Sequence, residues 1–127
     1  MAKILLIEDE VMIREMYEMT FGQRGFDLDS VADGAEAVEI LSKEGLDYDL
    51  ILLDIMMPKM NGVEVLEEIK KEDSPAKDIP VYLLTNLGQE NILEAAMKLG
   101  AEGSLMKAQY LPNELADEIE KILEKYS

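Results

Sequence analysis

Residues 50–62 read LILLDIMMPKMNG: an apolar run stops at Asp54, and a proline and an Asn-Gly pair follow it. A short run that is apolar on both faces predicts a buried strand over Leu50–Leu53, because a central strand of a parallel sheet is covered on both sides. Proline and Asn-Gly are typical of turns and irregular loops. This stretch therefore predicts a central strand that places Asp54 at the start of a loop.

Four further stretches predict strands. Lys3–Ile7, Val81–Leu84 and Gly103–Met106 are short and mostly apolar, whereas Asp27–Val31 alternates and suits a more exposed strand. Apolar residues at helical spacing predict a helix after each strand. The inner faces of these helices are assigned to Ile13, Met16, Tyr17 and Thr20, to Ala37, Ile40 and Leu41, to Val63, Leu66 and Ile69, to Ile92, Leu93, Ala96 and Leu99, and to Leu115, Ile119, Ile122 and Leu123.

Strands that alternate with helices predict an α/β fold with a parallel sheet covered on both faces. Right-handed crossovers leave few topologies, and we predict one domain over residues 1–127 with a doubly wound, flavodoxin-like sheet of five strands in the order 2-1-3-4-5 and five helices. Two helix starts have side-chain signals: Asp33 with Glu36 forms a capping-box pattern, and Pro112 suits a first helical position. In such a fold, the functional crevice lies at the carboxyl ends of the strands.

Composition excludes several kinds of chemistry. The 127 residues are 48% apolar and 31% charged and include neither Cys nor His, which rules out thiol catalysis, Ser-His-Asp triads, structural zinc and a phosphohistidine of the chain's own. A net charge of −16 repels phosphate backbones and anionic lipid, so neither nucleic acid nor a membrane is an expected partner. No apolar run approaches the roughly 18 residues of a membrane span and no signal peptide is evident, so we expect a cytoplasmic location.

Charged and polar side chains follow the predicted central strands. Glu8 and Asp9 follow the first strand and Asp54 the third, while Thr85 and Lys107 follow the fourth and fifth. At an effective dielectric constant of about 20, two like charges about 4 Å apart repel each other by about 4 kcal/mol. Three carboxylates at one edge therefore need a proton or a cation, and Mg²⁺ suits oxygen ligands of this kind.

Each of these residues also has a purely structural interpretation. Glu8 and Asp9 precede a helix, where acidic residues complement the macrodipole. Asp54 could form an Asx-turn, Thr85 could be an ordinary strand residue or cap, and Lys107 could lie on the surface or pair with Asp54. It is the occurrence of all five at the predicted crevice that favours a functional site.

The chain resembles the receiver domain of bacterial two-component response regulators over its whole length. The resemblance depends on the stretches Ile4–Glu10 and Asp54–Gly62, on Thr85, on Gly100-Ala101 and on Lys107. It implies a phosphoacceptor aspartate and a Mg²⁺ site. If the chain is complete, nothing beyond Tyr126-Ser127 follows the last helix, and we expect a stand-alone receiver.

The resemblance also implies a role for each site residue. Asp54 takes a phosphoryl group from a phosphohistidine on a sensor histidine kinase or histidine phosphotransfer protein, and the modified chain then binds a downstream protein or passes the phosphoryl group onward. The metal is held by Asp54, directly by Asp9, by the Met56 carbonyl and, through water, by Glu8. Thr85 and Lys107 each contact a phosphoryl oxygen. Such a protein catalyses its own phosphorylation and is not a turnover enzyme.

The chain departs from the family pattern at several positions. Lys107 is followed by Ala108 instead of proline, so we expect a trans bond and a rearranged loop. Ser104 stands where the family has an aromatic residue that signals by changing its burial, so the usual aromatic switch is not expected, and we expect only partial burial for Tyr110. Asn86 replaces a small residue; it either crowds the phosphoryl site or, as we favour, caps the next helix with Gln89.

Methionines occupy two kinds of predicted position. In the family that the chain resembles, the residues at the positions of Met56 and Leu87 border the path of the water that hydrolyses the phosphoryl group. Because both side chains are apolar here, we predict slow loss of the phosphoryl group. Met16 is assigned to the core. Met12 and Met19 lie off the inner stripe of the first helix and are either a docking surface, where the resemblance places kinase contact, or scattered surface residues.

Three other functions compete with this interpretation. A receiver-like interaction module that works without phosphate is supported by Ser104 and Ala108 and opposed by the intact Asp9, Asp54 and Lys107. A flavodoxin needs a phosphate-binding loop after the first strand, and Glu8-Asp9-Glu10 would repel the FMN phosphate. A phosphatase of the haloacid-dehalogenase type needs a second acid two residues after its nucleophile, where this chain has Met56.

Overall fold

The protein is described here by a computed structural model that covers residues 2–126. Its strands are β1 (Lys3–Ile7), β2 (Asp27–Val31), β3 (Leu50–Asp54), β4 (Val81–Thr85) and β5 (Gly103–Met106), and its helices are α1 (Val11–Gln23), α2 (Gly34–Leu41), α3 (Gly62–Ile69), α4 (Glu90–Lys98) and α5 (Pro112–Glu124). All strand pairs are parallel, and the order is β2-β1-β3-β4-β5. The predicted fold and strand order are confirmed, and β3 and β4 each extend one residue further than predicted, to Asp54 and Thr85.

The alternation of side chains along the strands divides the core into two layers. Leu5, Ile51 and Leu83 face α2, α3 and α4, whereas Leu6 and Leu52 face α1 and α5. Every residue of β3 and β4 is buried, as expected for strands covered on both faces. Among residues 2–126, no helix is both long and apolar enough to cross a bilayer.

The prediction that Met16 lies in the core is wrong, since 42% of the residue is exposed. The buried residues of α1 are Tyr17 and Phe21, whose rings stack with centroids 5.2 Å apart. These two residues are one helical turn apart and pack against α5. Because they form the buried face of α1, Met16, which precedes Tyr17, lies toward solvent. Met12 and Met19 are exposed, as their positions predicted.

The helix starts agree with the sequence at two points and differ at a third. Asp33 accepts a hydrogen bond from the Glu36 amide and caps α2, which is the Asp33 half of the predicted capping box, and Pro112 is the first residue of α5. The prediction that Asn86 caps α4 is wrong, because the helix begins only at Glu90; the pairing with Gln89 is present only in reverse, since the Asn86 amide donates to Gln89 Oε1 at 2.8 Å. Gly88 has a φ of +85°, which turns the chain away from a helical path between Asn86 and the helix.

Gly62 sets the approach of α3 to the end of β3. Its amide donates to the Ile55 carbonyl at 2.9 Å, and a Cβ at this position would lie 2.8 Å from the Ile55 Cα and 3.1 Å from the Asp54 carbonyl oxygen. Contacts this short are made with backbone atoms, which cannot move aside as the end of a side chain can. A residue without a side chain therefore keeps α3 against the strand that carries Asp54.

We expect Gly62→Ala to lower the free energy of unfolding by about 1–3 kcal/mol, because the added methyl group forces the backbone after β3 to shift. Chemical denaturation monitored by circular dichroism measures this loss. Gly22→Ala is the matched control: Gly22 lies in α1, where an added Cβ would meet nothing within 4 Å, and alanine there should stabilise the helix by about 0.5–1 kcal/mol. Equal effects of the two substitutions would contradict the close approach at Gly62.

Candidate functional site

The carboxyl ends of parallel strands share one edge of the sheet, and the predicted site residues meet there. Asp54 and Thr85 are the last residues of β3 and β4, while Glu8 and Lys107 directly follow β1 and β5. β3 lies between β1 and β4 in the sheet, so Asp54 occupies the centre of this edge.

Three carboxylates converge at this point. Glu8, Asp9 and Asp54 each offer an oxygen, and the three oxygens lie within 4.8 Å of one another. Glu8 and Asp54 are buried, and Asp9 is half-buried. Clustered carboxylate oxygens are suitable ligands for a hard cation, so the set fits Mg²⁺ by its donor chemistry.

Lys107 compensates part of this charge. Its Nζ donates to Glu8 Oε1 at 2.7 Å and to Asp54 Oδ2 at 3.2 Å, and the lysine side chain is only 9% exposed. The salt bridge considered as a structural alternative for Lys107 is therefore present, and it includes Glu8 as well as Asp54. One ammonium thus serves two buried carboxyl groups.

Backbone contacts hold Glu8 in place. Its Oε2 accepts the Glu10 amide at 3.2 Å, and its carbonyl oxygen accepts a hydrogen bond from Arg14 at 2.9 Å. With Lys107 on the other carboxylate oxygen, both oxygens of Glu8 are engaged. A carboxylate that is already engaged in this way fits the indirect metal contact, through water, that the resemblance implies for Glu8.

The environment separates the pKa values of the two buried acids. Burial, together with the hydrogen bond and the negative charge of Glu8, raises the pKa of Asp54 from 3.8 to about 8, against the opposing effect of Lys107. Burial also acts to raise the pKa of Glu8, but hydrogen bonds from Asp54 and Lys107 outweigh it and lower that pKa. Burial acts to lower the pKa of Lys107, and its contacts with the two acids raise it overall. Near neutral pH, the pair of Glu8 and Asp54 thus holds one proton, and the directions of the two pKa shifts favour Asp54 as its site.

We expect the metal-free protein to lose stability as the pH rises from about 5 to about 8. A carboxyl group with a raised pKa binds its proton more tightly in the folded state, and this contribution is lost as the pH rises through the folded pKa. Urea unfolding in the presence of EDTA measures the slope, for which we expect a loss of about 1–2 kcal/mol over this range. Mg²⁺ bound among the three carboxylates would take the place of the proton, so its addition should reduce the loss. An identical slope in Asp54→Asn would contradict the assignment to Asp54.

Asp54 also orders the loop that follows it. Its Oδ1 accepts the Met56 amide at 3.2 Å, which is the Asx-type contact considered as an alternative for this residue. Met56 is 49% exposed, whereas the adjacent Met57 is only 7% exposed. The loop therefore starts with a carboxylate that is tied to the backbone of an exposed methionine.

The remaining predicted positions lie around this centre. Thr85 is buried, and Leu87, two residues later, is 75% exposed. Ser104 is exposed on β5 and Tyr110 is half-buried, as its position predicted. The Lys107-Ala108 bond is trans, as expected, and residues Lys107–Gln109 form a 3₁₀ turn.

Asn61, which the sequence pattern assigns only to a turn, supports the loop that follows Asp54. The Asn61 side chain accepts the Glu64 amide, and the Glu64 carboxylate accepts the Asn61 amide, both at 3.1 Å. This reciprocal capping box begins α3 and ends the loop after Asp54. The Asn-x-x-Glu spacing in the sequence is the signal for it, although the Asn-Gly pair alone indicates only a turn.

The comparisons agree on one family. The model for the response regulator receiver domain matches residues 4–120. The chain is 35% identical over 125 residues to the transcriptional regulatory protein CpxR homolog of Haemophilus influenzae, covering 98% of this chain and 52% of that protein. It is 33% identical over 124 residues to the uncharacterized transcriptional regulatory protein YclJ of Bacillus subtilis, again covering 98% and 52%. The chain spans about half the length of these curated relatives.

Solved structures share the fold over nearly the whole chain. The chemotaxis protein CheY4 of Vibrio cholerae superimposes with a TM-score of 0.82 at 29% identity, covering 96% of this chain and 98% of that one. A response regulator receiver domain protein from Clostridium thermocellum gives a TM-score of 0.84 at 28% identity, covering 99% and 97%.

Proposed function

Because the chain belongs to the response regulator receiver domain family, we propose that it is a phosphoacceptor of a two-component system in which Asp54 receives a phosphoryl group from a phosphohistidine donor. The observation that carries this proposal is the convergence of Glu8, Asp9 and Asp54 on one point, with Lys107 bonded to two of them. The donor is a sensor histidine kinase or a histidine phosphotransfer protein, and the readout is a change in binding to a downstream protein.

The transfer step is a substitution at phosphorus. An Asp54 carboxylate oxygen forms the new P–O bond, the P–N bond of the phosphohistidine breaks, and the imidazole keeps the bonding electron pair. Asp54 must be ionised to act, and the Lys107 ammonium 3.2 Å away favours that form. Lys107 and the Thr85 hydroxyl then balance the charge that spreads over the phosphoryl oxygens.

The metal belongs to the same step. Asp9, Asp54 and the Met56 carbonyl would hold Mg²⁺ directly, with Glu8 contributing through water. Bound there, Mg²⁺ would neutralise charge on the phosphoryl oxygens. The chain's own residues position the nucleophile: the Met56 amide and Lys107 hold opposite oxygens of Asp54, which limits its rotation before the donor arrives.

Acetyl phosphate with Mg²⁺, followed by intact mass measurement, tests this function. A gain of one phosphoryl group that requires Mg²⁺ is expected, and an unchanged mass would contradict the proposal.

The second candidate is an interaction module that works without phosphate, which is favoured by the exposed Ser104 at the position of the family's aromatic residue. The same experiment distinguishes the two, since the second candidate takes up no phosphoryl group.

We expect Met56→Asn to shorten the lifetime of the phosphorylated protein by about tenfold, below the roughly 10²–10⁴ of a full general base. Met56 is half-exposed and apolar, so it cannot orient an attacking water, whereas an asparagine side chain can. The decay of the phosphorylated mass after removal of acetyl phosphate gives the lifetime. Met19→Asn, at an exposed position on α1, is the control and should leave the lifetime unchanged; no acceleration by Met56→Asn would contradict the proposed role.

A further inference from the structure

Methionines provide all of the sulfur in this chain, which contains nine Met and no Cys. One of them, Met56, is fixed to the phosphoacceptor by the hydrogen bond from its amide to Asp54 Oδ1. Its neighbour in the sequence is protected, since Met57 is 7% exposed against 49% for Met56. An oxidisable side chain that is half-exposed to solvent therefore belongs to a residue whose backbone is bonded to the phosphoacceptor.

We propose that Met56 is a redox-modification site at which a peroxide shortens the lifetime of the phosphoryl group on Asp54. The thioether sulfur attacks one peroxide oxygen with a lone pair, the O–O bond breaks, an S–O bond forms, and the second oxygen leaves as water after proton transfer. The sulfur is oxidised and the peroxide is reduced. This inference rests on the proposed function, because it requires a phosphorylated Asp54.

The expected effect follows from the change in polarity. A thioether is a weak hydrogen-bond acceptor, whereas a sulfoxide oxygen is a strong one. A sulfoxide on the exposed side chain of Met56 adds an acceptor where solvent reaches the loop. That acceptor binds the hydrolytic water and aligns it toward phosphorus, as an asparagine at this position would.

The chain provides its own controls for selectivity. Met57 is buried and should resist oxidation under conditions that modify Met56. Met19 is 67% exposed, more than Met56, but it lies in the second half of α1 and away from the Asp54 loop. Peroxide should therefore oxidise Met19 as well as Met56, together with the other exposed methionines Met12, Met16 and Met97, and only the modification of Met56 should alter phosphoryl loss.

The experiment loads each protein with acetyl phosphate and Mg²⁺ before and after brief treatment with hydrogen peroxide. Intact mass follows phosphoryl decay, and peptide mapping locates the added oxygen. Each variant is compared with its own untreated sample. Treatment should shorten the lifetime by about tenfold in the wild type and in Met19→Leu, and should have no effect in Met56→Leu. Met56→Gln, which carries a comparable acceptor, should shorten the lifetime without peroxide.

The outcomes separate this inference from the proposed function. No phosphoryl uptake by the untreated protein would contradict the proposed function itself. Normal uptake with a lifetime that peroxide does not change, or that shortens equally in Met56→Leu, would overturn the role of Met56. A longer lifetime after treatment would also overturn it, because a sulfoxide would then be excluding water instead of aligning it.

Discussion

Asp54→Asn is expected to abolish the Mg²⁺-dependent gain of one phosphoryl group from acetyl phosphate. An amide oxygen is a much poorer nucleophile than a carboxylate. Among the described residues, the only other carboxyl group in contact with Lys107 at this edge is that of Glu8, which is fully buried. Intact mass measurement gives the extent of uptake. Asp73→Asn, an exposed position at the other end of the fold, is the control and should retain full uptake.

Stability distinguishes this loss from misfolding. Asparagine keeps the shape of Asp54 and removes one of two buried acids that compete for Lys107. Without divalent metal at about pH 8, Asp54→Asn should therefore be at least as stable as the wild type, and up to about 2 kcal/mol more stable. If this variant still gained one phosphoryl group, the acceptor would be another residue, which would contradict the assignment of Asp54 as the phosphoacceptor.

Lys107→Met is expected to have the largest effect on stability, a loss of about 3 kcal/mol in the free energy of unfolding at neutral pH without metal. The substitution leaves Glu8 and Asp54 buried without a cation, and the cost is at the lower end of the range for broken buried pairs because a proton can be shared between the acids. The variant should also take up phosphoryl groups more slowly, since a counterweight to the phosphoryl oxygens is lost.

Lys98→Met is the matched control for this prediction. Lys98 pairs with Glu94 at 3.5 Å, but both side chains are more than two-thirds exposed. Exposed pairs of this kind contribute little, so the control should lie within about 0.5 kcal/mol of the wild type. Urea denaturation of both variants with EDTA gives the comparison. Similar small losses at Lys98 and Lys107 would show that the ammonium at the sheet edge is not needed to compensate the buried acids.

The sequence predicted the strands well because their apolar runs end abruptly at charged or polar residues. β3 and β4 are buried on both faces and are apolar up to their last residues, and the acids, the threonine and the lysine then mark the strand ends. A parallel sheet brings those strand ends to one edge, so the convergence of the site residues could be predicted from the predicted strand order alone. The contact between Lys107 and Glu8 could not, because it depends on the reach of two side chains across the sheet.

The incorrect predictions come from places where local signals compete. Met16 has the apolar character and the spacing of a core residue, but the stacked pair Tyr17 and Phe21 fills the space available to α1. Asn86 and Gln89 have the spacing of a cap, but Gly88 adopts a positive φ and the helix begins later. At Asn61, a cap and a turn share the same residues, and the structure shows that both descriptions apply.

Lys107 follows β5, which is an edge strand of the sheet. Its ammonium is nevertheless bonded to Glu8 and Asp54, which lie at the ends of β1 and β3. The ion pair between Lys107 and Asp54 thus connects β5 with β3 across the intervening strand β4. A change in the charge of Asp54 would therefore act on Lys107, the residue that directly follows β5, and this contact involves no aromatic ring. In this receiver, with serine at position 104, the ion pair of Lys107 with Asp54 links the centre of the sheet edge to the end of β5.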